Sequence, residues 1–186
     1  SLFEYLKQNK EALVEKEPAI LDACRLELLS LEVRKEKNNE LLPVDGMPVS
    51  DLLQLTVDNL LAIQFFVPDS VRAIELEFDL LKVRSIFFAS DQQDLSIPEL
   101  KKMYALGGRP ASYGASWVEC SNGLKELVLY AQQERETSWC LEQLALAFLE
   151  ECPSSNDESL AFRLFLEKLR ELVDAGVVIL KPEGAK

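Results

Sequence analysis

The chain contains no histidine among its 186 residues. Histidine is the commonest general base and metal ligand in proteins, and it is the usual partner of a nucleophilic serine or cysteine. Its absence therefore argues against the common kinds of catalytic site, and we expect a protein that is not an enzyme. If the chain were an enzyme, it would have to use carboxylate, tyrosine or lysine chemistry.

Cysteine is sparse, and its spacing does not fit a metal site. Cys24, Cys120, Cys140 and Cys152 include no CxxC pair, whereas zinc sites need close pairs of ligands. Separated thiols in apolar helical segments are typical of reduced cysteines. The sequence thus predicts an intracellular protein, cytoplasmic or nuclear, without a bound metal.

Long apolar runs and an excess of basic residues are also missing. No window approaches the roughly 18 to 20 apolar residues that span a bilayer, and the first residues do not resemble a signal peptide. With 20 basic and 32 acidic residues the net charge is −12. We therefore expect no contact with membranes and no direct contact with nucleic acid, because both are bound through excess Lys and Arg. A basic protein surface is the natural partner.

The residues that are present predict a mainly α protein. Apolar residues at helical spacing, cap-like residues and breaks at Pro or Gly indicate a bundle of about eight helices. These predicted helices cover residues 2–14, 18–37, 50–66, 70–89, 96–107, 124–134, 137–151 and 155–175.

Two of the predicted helices carry distinctive apolar stripes. The helix at 18–37 has Ile20, Cys24, Leu28 and Leu31 on one face. The helix at 70–89 has two stripes, one of which contains Phe78, so we expect it to be central and packed on more than one side.

The 107–116 loop is the best candidate for a domain boundary. It would separate an N-terminal helical domain at 1–106 from a smaller helical module at 117–186. Within that module, Gly176 should end the last helix in a left-handed turn, and 177–180 should form a strand. A terminal helix, a glycine stop and a short strand resemble the end of a winged-helix module. Residues 157–186 carry five basic and six acidic side chains, which would make it the protein-binding kind.

Candidate binding residues lie in and beside this loop. They are Arg109, Ser112, Tyr113 and Trp117, because Arg and aromatic side chains are common in binding hot spots and function concentrates in loops. For Trp117 a place in the core is the favoured interpretation, and an interface is the alternative. The loop lacks both the GxxxxGK[ST] sequence and a GxGxxG sequence after a strand, so we expect no phosphate-binding site and no cofactor.

A further cluster, Glu75, Glu77 and Asp79, could be interpreted as an acid/base or metal site. Flanking Arg72 and Lys82 favour an ion-paired, solvated face instead. Taken together, these features predict a non-catalytic adaptor or scaffold domain that belongs to a larger intracellular complex and binds another protein through a basic or apolar helical surface. A bacterial effector or secretion-associated regulatory protein would share this composition.

Overall fold

A computed structural model describes residues 17–35, 52, 55–82, 100–110, 114–135, 137–149 and 158–181. Five helices and six strands have defined bounds within these ranges. The helices are α1 (Glu17–Lys35), α2 (Val57–Leu61), α3 (Asn122–Gln133), α4 (Leu141–Leu149) and α5 (Glu158–Asp174). The strands are β1 (Gln64–Phe66), β2 (Arg72–Phe78), β3 (Leu100–Gly108), β4 (Ser116–Cys120), β5 (Trp139–Cys140) and β6 (Ile179–Leu180).

The prediction of a mainly α bundle of about eight helices is wrong. The strands form two antiparallel three-stranded sheets, so the fold mixes α and β structure. The larger sheet has the order β2–β3–β4, and the smaller sheet has the order β5–β1–β6. The segments predicted as helices at 70–89 and 96–107 instead supply β2 and β3, and the segment before the helix predicted at 124–134 supplies β4.

The error at β2 has a simple geometric reason. Ile74 and Phe78 are four residues apart, a spacing that puts two side chains on one face of a helix and also on one face of a strand. The residues between Ile74 and Phe78 distinguish a strand from a helix. Leu76 is buried with Ile74 and Phe78, while Glu75 and Glu77 are exposed. This strict alternation has the period of a strand, and pairing with the remote β3 stabilises it.

The larger sheet is regular except at one point. β2 pairs with β3 from Arg72↔Gly107 to Phe78↔Leu100, and the register shifts between Leu76 and Phe78. The intervening Glu77 donates its backbone N–H to a side-chain carboxylate oxygen of Asp22 at 2.6 Å. Between the pairs formed by Leu76 and Phe78, β2 has one residue, Glu77, and β3 has two, Lys101 and Lys102, so the extra residue of the irregularity lies on β3. The buried Asp22 of α1 satisfies the Glu77 donor at this irregular point of the sheet.

Helix α1 covers one face of the larger sheet. A hydrophobic cluster joins its small residues Ala19 and Ala23 and its Leu26 to the sheet residues Ile74, Leu76, Phe78, Met103 and Ala105. Alanines at the contact let a helix approach a sheet closely, because no long side chain separates the two backbones.

The smaller sheet joins distant parts of the chain. Phe65 in the central strand β1 pairs with Trp139 of β5 on one side and Leu180 of β6 on the other. The main hydrophobic cluster surrounds this sheet and includes buried residues of α3, α4 and α5, among them Val128, Leu144 and Phe165. The domain division at 107–116 stays a prediction, but β1, from before that loop, shares a sheet with strands that follow it.

Several local predictions are confirmed. Helices are present where the sequence placed them at 18–37, 124–134 and 155–175, with bounds shifted by a few residues. The C-terminal strand is also present. Gly176 has a φ of 69°, the left-handed turn expected after the last helix. The helix predicted at 2–14 lies outside the described residues.

Candidate functional site

Helix α1 is apolar on two opposite faces. One face packs on the larger sheet through Ala19, Ala23 and Leu26, which are essentially inaccessible to solvent. One apolar stripe is enough to pack a helix against a core. A second apolar stripe on the opposite side is therefore additional apolar surface that the core does not bury. The second apolar face of α1 lies in solvent.

The outward face of α1 is defined by Leu21, Leu28 and Leu31. Their exposed fractions are 63%, 62% and 44%, and the half-buried Cys24 lies between them at helical spacing. This face contains three of the four stripe residues that the sequence indicates, namely Cys24, Leu28 and Leu31. Sequence periodicity therefore identified an exposed surface rather than a part of the core.

Polar contacts hold α1 at a fixed angle on the sheet, so its outward face is presented rigidly. The indole Nε1 of Trp117 donates to Ser30 Oγ at 2.9 Å, and that hydroxyl donates to the Leu26 carbonyl at 2.7 Å. Arg72 Nε donates to Glu32 at 3.4 Å. The Ser30 hydroxyl is buried and the Trp117 indole N–H is partly buried, so this contact favours one geometry of α1, because another would leave polar groups unpaired. The Arg72–Glu32 pair is exposed.

A second candidate surface is an open cleft of about 480 Å³ beside β4. It is lined by residues 116–119 of β4, by Leu81, and by Lys168, Glu171, Asp174 and Ala175 at the end of α5. β4 is an outer strand of its sheet, and β3 is the only described strand that pairs with it. The cleft thus follows a sheet edge, where backbone donors and acceptors are available to another strand.

The four residues predicted as a binding site have different locations. Trp117 lines the cleft with part of its side chain, and its indole N–H contacts α1. The residue therefore contributes both to the packing of α1 and to the surface of the cleft. Arg109 follows β3, and its carbonyl lies directly against the turn at Gly176. Ser112 and Tyr113 lie outside the described residues. Sequence reasoning missed Leu21 in the outward face, although its spacing of three and seven residues from Cys24 and Leu28 is a local signal that could have found it. It also missed Lys168, Glu171 and Asp174 in the cleft, because their neighbours in β4 are remote in sequence.

In the carboxylate cluster at 75–79, Glu75 and Asp79 form ion pairs with lysines of β3, which the sequence reasoning, based on Arg72 and Lys82 at helical spacing, did not identify. Glu75 pairs with Lys102 at 2.7 Å, and Lys101 approaches Asp79 at 4.0 Å. The hydrogen bond from Lys102 lowers the pKa of the Glu75 carboxyl, and the same contact raises the pKa of Lys102. Both effects are those of an opposite charge that stabilises the ionised form.

This pair makes a testable prediction about pH. In the Lys102→Met variant, the pKa of Glu75 should rise toward the ordinary glutamate value, as measured by carboxyl carbon NMR shifts across a pH titration. A lowered pKa in the folded state means that the pair stabilises the fold above the ordinary glutamate range and stops doing so as the pH falls through the folded-state pKa. Because the pair is exposed, the effect on stability should be small.

Lys101→Met is the matched control, since Lys101 pairs with Glu119 and Asp79 instead. It should leave the Glu75 titration unchanged. An unchanged Glu75 pKa in the Lys102 variant would contradict the assigned cause.

Other site chemistry in the described part of the chain is limited. No three Cys, Asp or Glu side chains there are grouped so that they could hold a metal ion. Cys24 and Cys140 form no disulfide within the described part of the chain, and Cys152 lies outside the described residues. None of the helices in the described ranges is both long and apolar enough to cross a bilayer.

Comparison of the sequence with protein-family models and with curated proteins gave no match. The functional argument therefore depends on the two surfaces themselves.

Proposed function

We propose that this chain is a non-catalytic protein-binding domain, an adaptor or scaffold that holds a helical segment of another protein against the outward face of α1. The observation that carries the proposal is the exposure of Leu21, Leu28 and Leu31 on a helix whose opposite face is already packed. Large exposed apolar side chains that cluster on one surface are typical of interaction sites.

The geometry of α1 favours a helix as the partner. Its 19 residues give a helix about 28 Å long at 1.5 Å per residue, and the apolar ridge from Leu21 to Leu31 spans about 15 Å of it. Leu21, Leu28 and Leu31 repeat at the seven- and three-residue spacings by which two helices interdigitate. An amphipathic helix laid along this ridge would bury all three leucines.

Charge favours a basic partner over a second copy of the chain. Each copy carries a net charge of −12, so two copies repel each other as they approach. A partner helix with Lys or Arg beside its apolar stripe would be attracted to the acidic domain and could pair with Glu32, which is exposed on α1. The proposal includes a location inside the cell, in the cytoplasm or nucleus, within a larger complex, because four cysteines without a CxxC pair in apolar segments are typical of reduced thiols.

The test is a paired affinity capture from lysate under gentle conditions. The Leu21→Gln, Leu28→Gln and Leu31→Gln triple variant should reduce recovery of the stoichiometric partner at least about tenfold, because central apolar contacts dominate interfaces. Glutamine is a good helix former, so α1 should persist and the melting temperature should change little.

A matched control removes three exposed leucines from elsewhere on the molecule. These are Leu100, Leu146 and Leu164, each also replaced by Gln. Equal recovery by the two triple variants, or the lack of any stoichiometric partner of the unmodified chain, would contradict the proposal.

Photo-crosslinking identifies the occupant directly. A benzophenone amino acid at position 28 should crosslink to the partner, and the same group at position 164 should not. Light scattering on the purified chain should show a monomer. A dimer that the α1 triple variant dissociates would assign this face to a second copy and reject a separate partner.

A further inference from the structure

The edge strand β4 offers a different kind of binding site from α1. We propose that the cleft beside β4 binds an extended basic peptide of a partner protein, which adds to the larger sheet as a fourth strand. Strand addition uses the backbone groups of an exposed sheet edge for affinity and pockets along the edge for side-chain preference. This proposal does not depend on the α1 face.

The first argument is the hydrogen bonding of β4. The Glu119 carbonyl accepts a hydrogen bond from Lys168 Nζ at 3.0 Å, a donor that comes from α5 rather than from β3. In an antiparallel edge strand, alternate residues direct both N–H and C=O away from the paired strand. The contact with Lys168 indicates that Glu119 is such a residue, and Trp117, two positions earlier, presents its backbone to the same side.

The second argument is that Lys168 imitates part of a ligand. Its ammonium occupies the place of the donor that an added strand would bring to the Glu119 carbonyl. Lys168 has an alternative partner in Glu171, at 2.5 Å, so it can release the carbonyl without losing its ion pair. A peptide N–H can then take over the contact with β4.

The third argument concerns charge. Three of the described residues that line the cleft are acidic, namely Glu119, Glu171 and Asp174, and Lys168 is the only basic residue among the described ones. Exposed Lys101 and Arg170 pair with Glu119 and Asp174 from the outside. Exposed ion pairs contribute little free energy, so Arg or Lys of an incoming peptide can exchange with them at small cost. The net charge of the chain then favours a basic segment over a neutral or acidic one.

The fourth argument concerns side-chain preference. The cleft also contains apolar surface from Leu81, Trp117, Val118 and Ala175. Successive side chains of a strand point to opposite faces, so a peptide that alternates apolar and basic residues can direct one set to this surface and the other to the carboxylates.

The probe is a short fluorescently labelled peptide of alternating valine and arginine, and binding to the full chain is measured by anisotropy. We expect micromolar affinity that weakens with added salt. Neutralising the cleft in the Glu119→Gln, Glu171→Gln and Asp174→Asn triple variant should weaken binding by about tenfold. Lys168→Met should strengthen it, because the variant frees the Glu119 carbonyl and removes a positive charge.

Two controls separate strand addition from nonspecific attraction. The Asp58→Asn, Glu126→Gln and Glu142→Gln triple variant removes the same charge from exposed sites outside the cleft, and it should bind the probe as the unmodified chain does. A probe whose backbone is N-methylated at alternate residues keeps its charge but loses its donors, and it should bind about tenfold more weakly.

NMR provides the direct measurement. On addition of the probe, the amide hydrogens of Trp117 and Glu119 should become protected from exchange. Equal weakening by both charge variants, equal binding of the N-methylated probe, unchanged amide exchange, or no detectable binding of the basic probe would each overturn the proposal. None of these outcomes would affect the proposed role of α1, because the α1 leucines are unchanged in every variant.

Discussion

Replacing Gly176 with alanine should lower the free energy of unfolding by about 3 kcal/mol or more, the largest loss we expect from a single methyl group. Gly176 has a φ of 69°, which costs a residue with a Cβ about 1 to 3 kcal/mol by itself. A Cβ at this position would also overlap the carbonyl oxygen of Arg109 and lie 2.6 Å from its carbonyl carbon. These are backbone atoms, so a side-chain rotation cannot relieve the clash.

The contact between the end of β3 and the turn at Gly176 is also tight on the β3 side. A Cβ on Gly108 would lie 2.5 Å from the Ala175 carbonyl oxygen. The end of β3 and the turn after α5 are therefore fitted to each other backbone to backbone. This close fit holds the C-terminal end of α5 beside β4. Glu171 and Asp174 lie in that end of the helix.

Urea unfolding followed by tryptophan fluorescence measures the loss. Gly114→Ala is the control, because Gly114 also has a positive φ, 133°, but a Cβ added there would meet no described atom within 4 Å. The Gly114→Ala variant should lose only the free energy that a positive φ costs a residue with a Cβ, without a steric clash. A Gly176→Ala variant no less stable than Gly114→Ala would contradict the assigned clash.

Phe65→Ala should cost about 3 to 5 kcal/mol, a large share of the 5 to 15 kcal/mol that stabilises a typical domain. Phe65 is 2% exposed and lies in the central strand of the smaller sheet, between Trp139 and Leu180. Removing its ring leaves a cavity that strands on both sides would have to close. Because the cluster around it includes residues of α3, α4 and α5, the loss should destabilise all three helices.

Phe66→Ala is the control within the same strand. Phe66 is only half-buried, and Lys181 lies over its ring at 6.0 Å. We expect a cost of about 1 kcal/mol, since surface substitutions change stability little. If thermal or urea unfolding gave the two variants equal stability, the central position of Phe65 in the core would be refuted.

The candidate surfaces were only partly accessible from sequence. The α1 stripe is visible because Cys24, Leu28 and Leu31 follow helical spacing, but which side of the helix meets the core depends on the sheet it covers. Ala19 and Ala23 face that sheet because small side chains permit close approach. The β4 cleft has no local signal, since it combines Trp117 with Glu171 from a helix more than 50 positions away.

The sequence by itself determined the elements whose stabilising contacts are local. α1, α3 and α5, the left-handed turn at Gly176 and the strand after it follow from helical spacing, glycine geometry and β-branched residues within a few positions. Only the tertiary structure decided that 72–78, 100–108 and 116–120 form strands. Their pairing joins residues up to 35 positions apart, as in Arg72↔Gly107, and a spacing of four residues is compatible with a helix and with a strand. Pairing between remote segments therefore set the fold class, which side of α1 faces solvent, and the sheet edge beside the cleft.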